Sequence, residues 1–182
     1  QEIKYENLIQ RFKKIETSIT EITIPIAQVT EIPVLYGGEC GPDLEFVAYH
    51  NKIYEEEVIN IHSKNEYFIY MLGFLPGFIY LGDMSDKIAT PRLEKPRLKV
   101  SGGSVGIAGK QTGIYPIESP GGWQIIGRTP VKLFNPQKEP PFLLKSGDYI
   151  KFYPIDQEQF KEIEKKVNQG NYSCKVKPYG RI

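Results

Sequence analysis

Six polar residues, His62, Arg92, Gln111, Tyr115, Ser119 and Arg128, are the ones whose types could do chemistry together in this chain. Two guanidinium groups can present forked donors to a carboxylate or phosphate. Neutral donors beside them would suit an anionic or amide-bearing small molecule. His62 adds a group able to move a proton near neutral pH, although it also stands where a histidine could simply complement the carboxyl end of a helix. The same six residues could instead form a buried hydrogen-bonded network. Residue types leave both readings open.

Other chemistries find less support. The histidines are His50 and His62, and the cysteines Cys40 and Cys174 lie far apart with no second pair, so neither a zinc site nor a disulfide framework is suggested. Cys40, just before Gly41 and Pro42, reads as a small loop residue. The stretch GIAGKQTG from Gly106 to Gly113 lacks the Ser or Thr after its lysine and the following helix that a phosphate loop needs. Gly102 to Gly106, GGSVG, matches the nucleophile pattern GxSxG in letters. A strand reading across Val105 to Ile107 removes the helix such an elbow requires, so Ser104 is a turn residue. A net charge of +1 offers no field that calls for nucleic acid or an anionic membrane. The apolar run Tyr67 to Gly82 is too short to span a bilayer and is broken by Pro76. A reducing cytoplasm is the expected setting.

The elements that would position these residues are mostly short strands. Eight of the 17 glycines lie between Val100 and Pro130, together with Trp123, the single tryptophan. Such density permits tight barrel corners and also close approach of backbone to a neighbour or ligand. Strands are expected at Thr30–Tyr36, Tyr67–Leu72, Lys99–Val100, Ser104–Ala108, Gly113–Pro116, Trp123–Arg128, Val131–Phe134 and Tyr149–Tyr153, with a weak final one at Tyr172–Val176. Gly73 to Gly82 reads as a core corner. Helical spacing predicts an amphipathic helix over Ile3–Ile15, an αα-hairpin from Pro42 to His62 joined at His50–Ile53, and a helix over Gln157–Val167 capped by Gly170. Ser18 to Gln28 suits a linker or edge strand. This pattern implies a barrel or sandwich. The first helix has nothing before it in its own small domain to pack on, so residues 1–20 are expected to be the end of a truncated N-terminal domain and 21–182 the main domain.

The segments IPVLYGGECGPDL (Ile32 to Leu44), YMLGFLPGFIYLG (Tyr70 to Gly82), ATPR (Ala89 to Arg92) and GSVGIAGKQTGIYPIESPGGWQIIGRTPVKLFNP (Gly103 to Pro136) resemble the allophanate hydrolase subunit 1 family. That family includes the B component of 5-oxoprolinase and a sporulation histidine-kinase inhibitor. The resemblance runs from about Ile22 to Ile155 with the motifs in the family's order. It implies a mainly β fold, a cyclophilin-like β-barrel with a few short helices, preceded by the remnant of a small α+β domain. It also implies catalytic positions at His62, Tyr115 and Arg128, substrate-binding positions at Arg92, Gln111 and Ser119, and no metal ligands. The implied activity is ATP-dependent opening of 5-oxoproline to glutamate, with ATP and Mg2+ supplied to a heteromeric complex. Its other members would be the A component and the C component, the latter a second barrel of this type. The alternatives under the same resemblance are inhibition of a sensor histidine kinase, or a part in allophanate hydrolase or urea carboxylase.

Overall fold

The computed structural model describes residues 5–18 and 25–180. Among these residues ten strands form: β1 (Gln28–Tyr36), β2 (Glu66–Leu72), β3 (Ile79–Leu81), β4 (Arg97–Val100), β5 (Ser104–Ala108), β6 (Gln111–Ile114), β7 (Ser119–Gly121), β8 (Gln124–Arg128), β9 (Tyr149–Pro154) and β10 (Val176–Pro178). The helices are α1 (Tyr5–Ser18), α2 (Leu44–Asn51), α3 (Glu55–Lys64) and α4 (Gln157–Asn168).

β1 is the seam of the fold. It lies antiparallel to β8 at Leu35–Arg128 and parallel to β9 from Val29–Tyr149 to Val34–Pro154. Those two pairings join the ends of the series β1, β8, β5, β6, β3, β2, β9 into a closed ring, with β10 added beside the start of β1. A closed ring leaves no long edge to pair with another chain. β4 and β7 stand apart as a two-stranded ribbon.

The two-residue period of the strands sorts side chains into two apolar groups. Ile32, Val34, Tyr67, Ile69, Val105, Ile107, Ile114, Ile126, Ile150 and Phe152 fill the main core, and α2 and α3 add Leu44, Val47, Ala48 and Val58 to it. A smaller cluster, Phe78, Val100, Ala108, Tyr115, Trp123 and Ile125, brings together residues of the ribbon and of the barrel wall. β5 is therefore buried at every position, because each of its faces meets one cluster. Each large apolar side chain withdrawn in this way contributes about 1.5–3 kcal/mol.

The helices follow local signals. Asp156 accepts from the Gln159 backbone while the Gln159 side chain answers to the Asp156 backbone, a capping box that starts α4. Lys52, in left-handed conformation, ends α2. No residue of α1 is buried.

The expected closed β-barrel with short helices is present, and several element boundaries differ. Val131–Phe134 is not a strand. Pro130 and Pro136 flank it, and the stretch pairs only through Leu143 N–H to Leu133 O and a single bridge between Phe134 and Phe142. β6 starts at Gln111 and stops before Tyr115, and the last strand forms at Val176 instead of Tyr172. The corner at Gly73–Gly82 contains β3, which carries the ring from β2 to β6. The linker expected at Ser18–Gln28 falls largely on residues 19–24, outside the described residues, as does Ile3.

Candidate functional site

Gly106 on β5 and Gly113 on β6 face each other as cross-strand partners. A methyl group on either would press on the side chain of Trp123, at 3.1 Å from its Cβ for Gly106 and 3.1 Å from its ring for Gly113. The paired absence of side chains is a saddle in the barrel wall, and Trp123 lies in it. Phe78 meets the indole edge-on with ring centroids 5.6 Å apart, and Tyr115 does so at 6.3 Å. Such T-shaped pairs add about 0.5–1.5 kcal/mol beyond the area they bury.

Above this floor opens a cleft of about 180 Å³, walled by Phe74, Phe78, Tyr80, Arg92, Tyr115 and Trp123, with Pro120–Gly122 along one side. Arg92 is exposed, and its guanidinium sits over the indole at 5.8 Å. Its backbone is tethered on both sides. Gln124 Nε2 donates to Pro91 O at 2.9 Å, and Leu93 N–H donates to Gly122 O at 2.8 Å. No carboxylate pairs with Arg92 among the described residues.

Tyr115 reaches the same cleft from the end of β6 and is itself buried. Gly121 has no room for a side chain because the Tyr115 hydroxyl occupies that space. Burial raises the phenol pKa, while a hydrogen bond from the Trp123 backbone N–H and the positive charges of Arg92 and Arg97 pull it back in part. The group stays a neutral phenol at neutral pH, able to donate a proton in a hydrogen bond but not to serve as a base.

Asp43 and Arg97 brace the floor from behind. Arg97 Nη2 donates to Asp43 Oδ1 at 2.6 Å and its Nη1 to Trp123 O at 3.3 Å, while Asp43 Oδ2 accepts from Ile125 N–H at 2.6 Å. Neither Asp43 nor Gln124 is among the six residues whose types stood out in the sequence. Only their location among buried backbone groups distinguishes them, and spacing along the chain carries no sign of it.

The other sequence-derived positions are dispersed. His62 is 0% exposed inside the barrel and stacks on Phe152 with centroids 4.5 Å apart. The Thr112 hydroxyl donates to Gly106 O at 3.0 Å, so it accepts from His62 Nε2–H at 2.8 Å. His62 Nδ1 then accepts from the Tyr36 hydroxyl at 2.7 Å. Burial pushes the imidazole down to about 3, so it remains neutral. Gln111 is exposed at the start of β6. Ser119 is buried on β7 with its Oγ unpartnered, and it lines neither the Arg92 cleft nor the one that holds Arg128. Arg128 opens into that separate cleft, lined by β4 where the first is lined by β7. Thus Arg92 and Tyr115 come together, and His62, Gln111, Ser119 and Arg128 do not join them.

Aromatic walls beside an exposed guanidinium suit a small, flat, mostly apolar ring bearing a carboxylate. Among the described residues no three His, Cys, Asp or Glu side chains converge in a way that could hold a metal ion. No described helix is long and apolar enough to cross a membrane.

Residues 1–144 match the family model described as carboxyltransferase domain, subdomain C and D. The chain is 50% identical over 164 residues to the B component of a 5-oxoprolinase from Bacillus subtilis (strain 168), covering 86% of this chain and 68% of that one. A conserved uncharacterized protein of Pyrococcus horikoshii has a crystal structure that superposes with a TM-score of 0.71 at 59% identity, over 86% of this chain and 71% of that one. The Kluyveromyces lactis urea amidolyase shares the fold at 21% identity and a TM-score of 0.74, over 95% of this chain and 12% of its own.

Proposed function

This chain belongs to the family of the carboxyltransferase domain, subdomains C and D, and from that membership we propose that it is the B component of an ATP-dependent 5-oxoprolinase. The complex opens 5-oxoproline to glutamate. The observation that carries this reading is the 50% identity over 164 residues to a relative bearing that name. The Arg92 cleft supports it on chemical grounds. 5-Oxoproline is a flat five-membered lactam with one carboxylate, and the cleft offers aromatic faces, one cation without an acid partner and one neutral phenol.

In this reading Arg92 holds the substrate carboxylate, Trp123 and Phe78 hold the ring, and the Tyr115 hydroxyl donates to a substrate oxygen. ATP is the second substrate. Its terminal phosphoryl group passes to the lactam oxygen and ADP leaves; one water then adds to the activated carbon and the C–N bond breaks to give the acyl phosphate, from which a second water releases phosphate and glutamate. His62, enclosed and neutral, holds the barrel wall under the cleft through Thr112 and Gly106. No nucleotide-binding motif lies in this chain, so the reaction is assigned to a complex with the A and C components in the cytoplasm, with Mg2+ entering as part of the nucleotide substrate.

The test is ATP-dependent glutamate release from 5-oxoproline by this chain assembled with the proteins encoded beside it. Release above that of mixtures lacking this chain is expected. No release, or release unchanged by omitting this chain, would remove the proposal. Turnover of urea or allophanate in its place would move the chain to the urea-degrading branch, and loss of sensor-kinase autophosphorylation on adding this chain alone would make it a regulator.

A further inference from the structure

Arg128 and Ser104 are direct cross-strand partners on β8 and β5, so their side chains leave the sheet on one face. Both line a second cleft, of about 250 Å³, on the β4 side of the ribbon. Ser104 is largely buried, at 5% exposed, and lines the cleft, so its hydroxyl can be reached from there. Arg128 is anchored through Nε to Gly102 O at 3.2 Å, and no carboxylate pairs with it among the described residues. The anchor points the guanidinium while its two terminal nitrogens remain free to donate. Lys99 and Ser101 stand on the same rim. Lys99 is bound only to Glu118 in a pair whose side chains are 70% and 54% exposed, which exchanges readily for a better anion.

The two clefts differ in kind. The Arg92 cleft is aromatic and suits a flat carboxylate, whereas the second offers two guanidinium groups, of which Arg97 is already bound to Asp43, together with an ammonium, two hydroxyls and the Cys40 thiol. Glu39 also lines it, but this carboxylate is exposed and its repulsion is screened by water and salt. Donors arranged around a fork of this sort match a tetrahedral oxyanion. We propose that the Arg128–Ser104 cleft is a phosphate-binding site, distinct from the Arg92 cleft, that takes the phosphate group of a nucleotide or free inorganic phosphate. The assignment goes beyond the 5-oxoprolinase reading and is tested without turnover.

The experiment is titration of the full chain with inorganic phosphate and, separately, with ADP and with adenosine, followed by amide NMR shifts and calorimetry. Saturable phosphate binding is expected, with shifts at Gly102–Ser104 and Arg128. Arg128→Gln should weaken it by about tenfold or more and Ser104→Ala by a few-fold, as loss of charged and neutral donors dictates, while Arg92→Gln leaves it unchanged. Arg128→Lys should restore part of the affinity, and thermal melts would show that each variant is folded. Tighter binding of ADP than of phosphate identifies a nucleotide as the source, and equal binding identifies the free ion. Absence of saturable binding, or phosphate affinity indifferent to Arg128→Gln in a folded variant, overturns the proposal. Adenosine binding as well as ADP, with no effect of Arg128→Gln, would do the same. Glutamate release by the assembled complex is scored separately, so either idea can fail alone.

Discussion

Acidification should weaken the fold through His62 alone before the carboxylates begin to titrate. Inside the barrel this imidazole has a pKa of about 3, and once unfolded it returns to about 6.5. Between those values the unfolded chain binds a proton that the native protein refuses, so unfolding free energy rises with pH and is lost as pH falls below 6.5. At pH 5 the unfolded form gains about 1.5 pH units of protonation while the native form gains almost none, which removes about 2 kcal/mol relative to pH 7. The comparison is urea unfolding of the wild type and of His62→Gln at pH 7 and pH 5. His62→Gln loses the imidazole stack on Phe152 and the fit between Tyr36 and Thr112, so it should be less stable at pH 7 by about 1–3 kcal/mol. Its pH dependence, however, should be flatter by about 2 kcal/mol, because every other titrating group is common to both proteins. NMR of the native imidazole supplies an independent reading, with no protonation down to pH 5. Equal pH slopes in the two proteins, or an imidazole that titrates near 6.5 in the native state, would refute the reasoning.

The remaining predictions concern the Arg92 cleft and its supports. Gly113→Ala should destabilise the protein by about 1–2 kcal/mol and alter the near-ultraviolet signal of Trp123, since the new methyl meets both the indole and Ile79 O at 3.1 Å; an unchanged spectrum would show that the indole does not lie in that saddle. Asp43→Ala should cost about 2–4 kcal/mol in urea unfolding, because it leaves the Ile125 N–H and the partly buried Arg97 without their acceptor. In the assembled complex, Arg92→Ala should raise KM for 5-oxoproline by about 10–100-fold with a smaller change in kcat, as expected for loss of a charge-assisted contact made in both ground and transition states. Steady-state kinetics reading an unchanged KM would place the substrate carboxylate elsewhere. Tyr115→Phe should leave the melting temperature within a few degrees and lower kcat, with no acidic or basic limb removed from the pH profile, because the phenol is neutral throughout the working range.

Much of the barrel was legible in the chain because its signals are local. Alternation of apolar residues marked β1, β2, β5, β8 and β9, and the α4 capping box is written in Asp156 and Gln159. The second half of β4, Lys99–Val100, was also marked, whereas β3 and β7 were obscured, since each is three residues long and is defined by its pairing with other strands. The reverse holds for Val131–Phe134, where apolar residues promise a strand and flanking prolines withhold the donors that would make one.

The candidate site divides along the same line. The sequence by itself determined the chemical inventory: which arginines, tyrosines and glycines exist, and that Val100 to Pro130 concentrates them. Only the tertiary structure decided how they are shared out. Closure of the ring put His62 inside, where desolvation holds it neutral, while the register that sets Gly106 opposite Gly113 and Ser104 opposite Arg128 made one pair a seat for Trp123 and the other a cleft wall. Register is a long-range property. A slip of one residue in either strand would leave composition and spacing untouched and would exchange every inward side chain for an outward one.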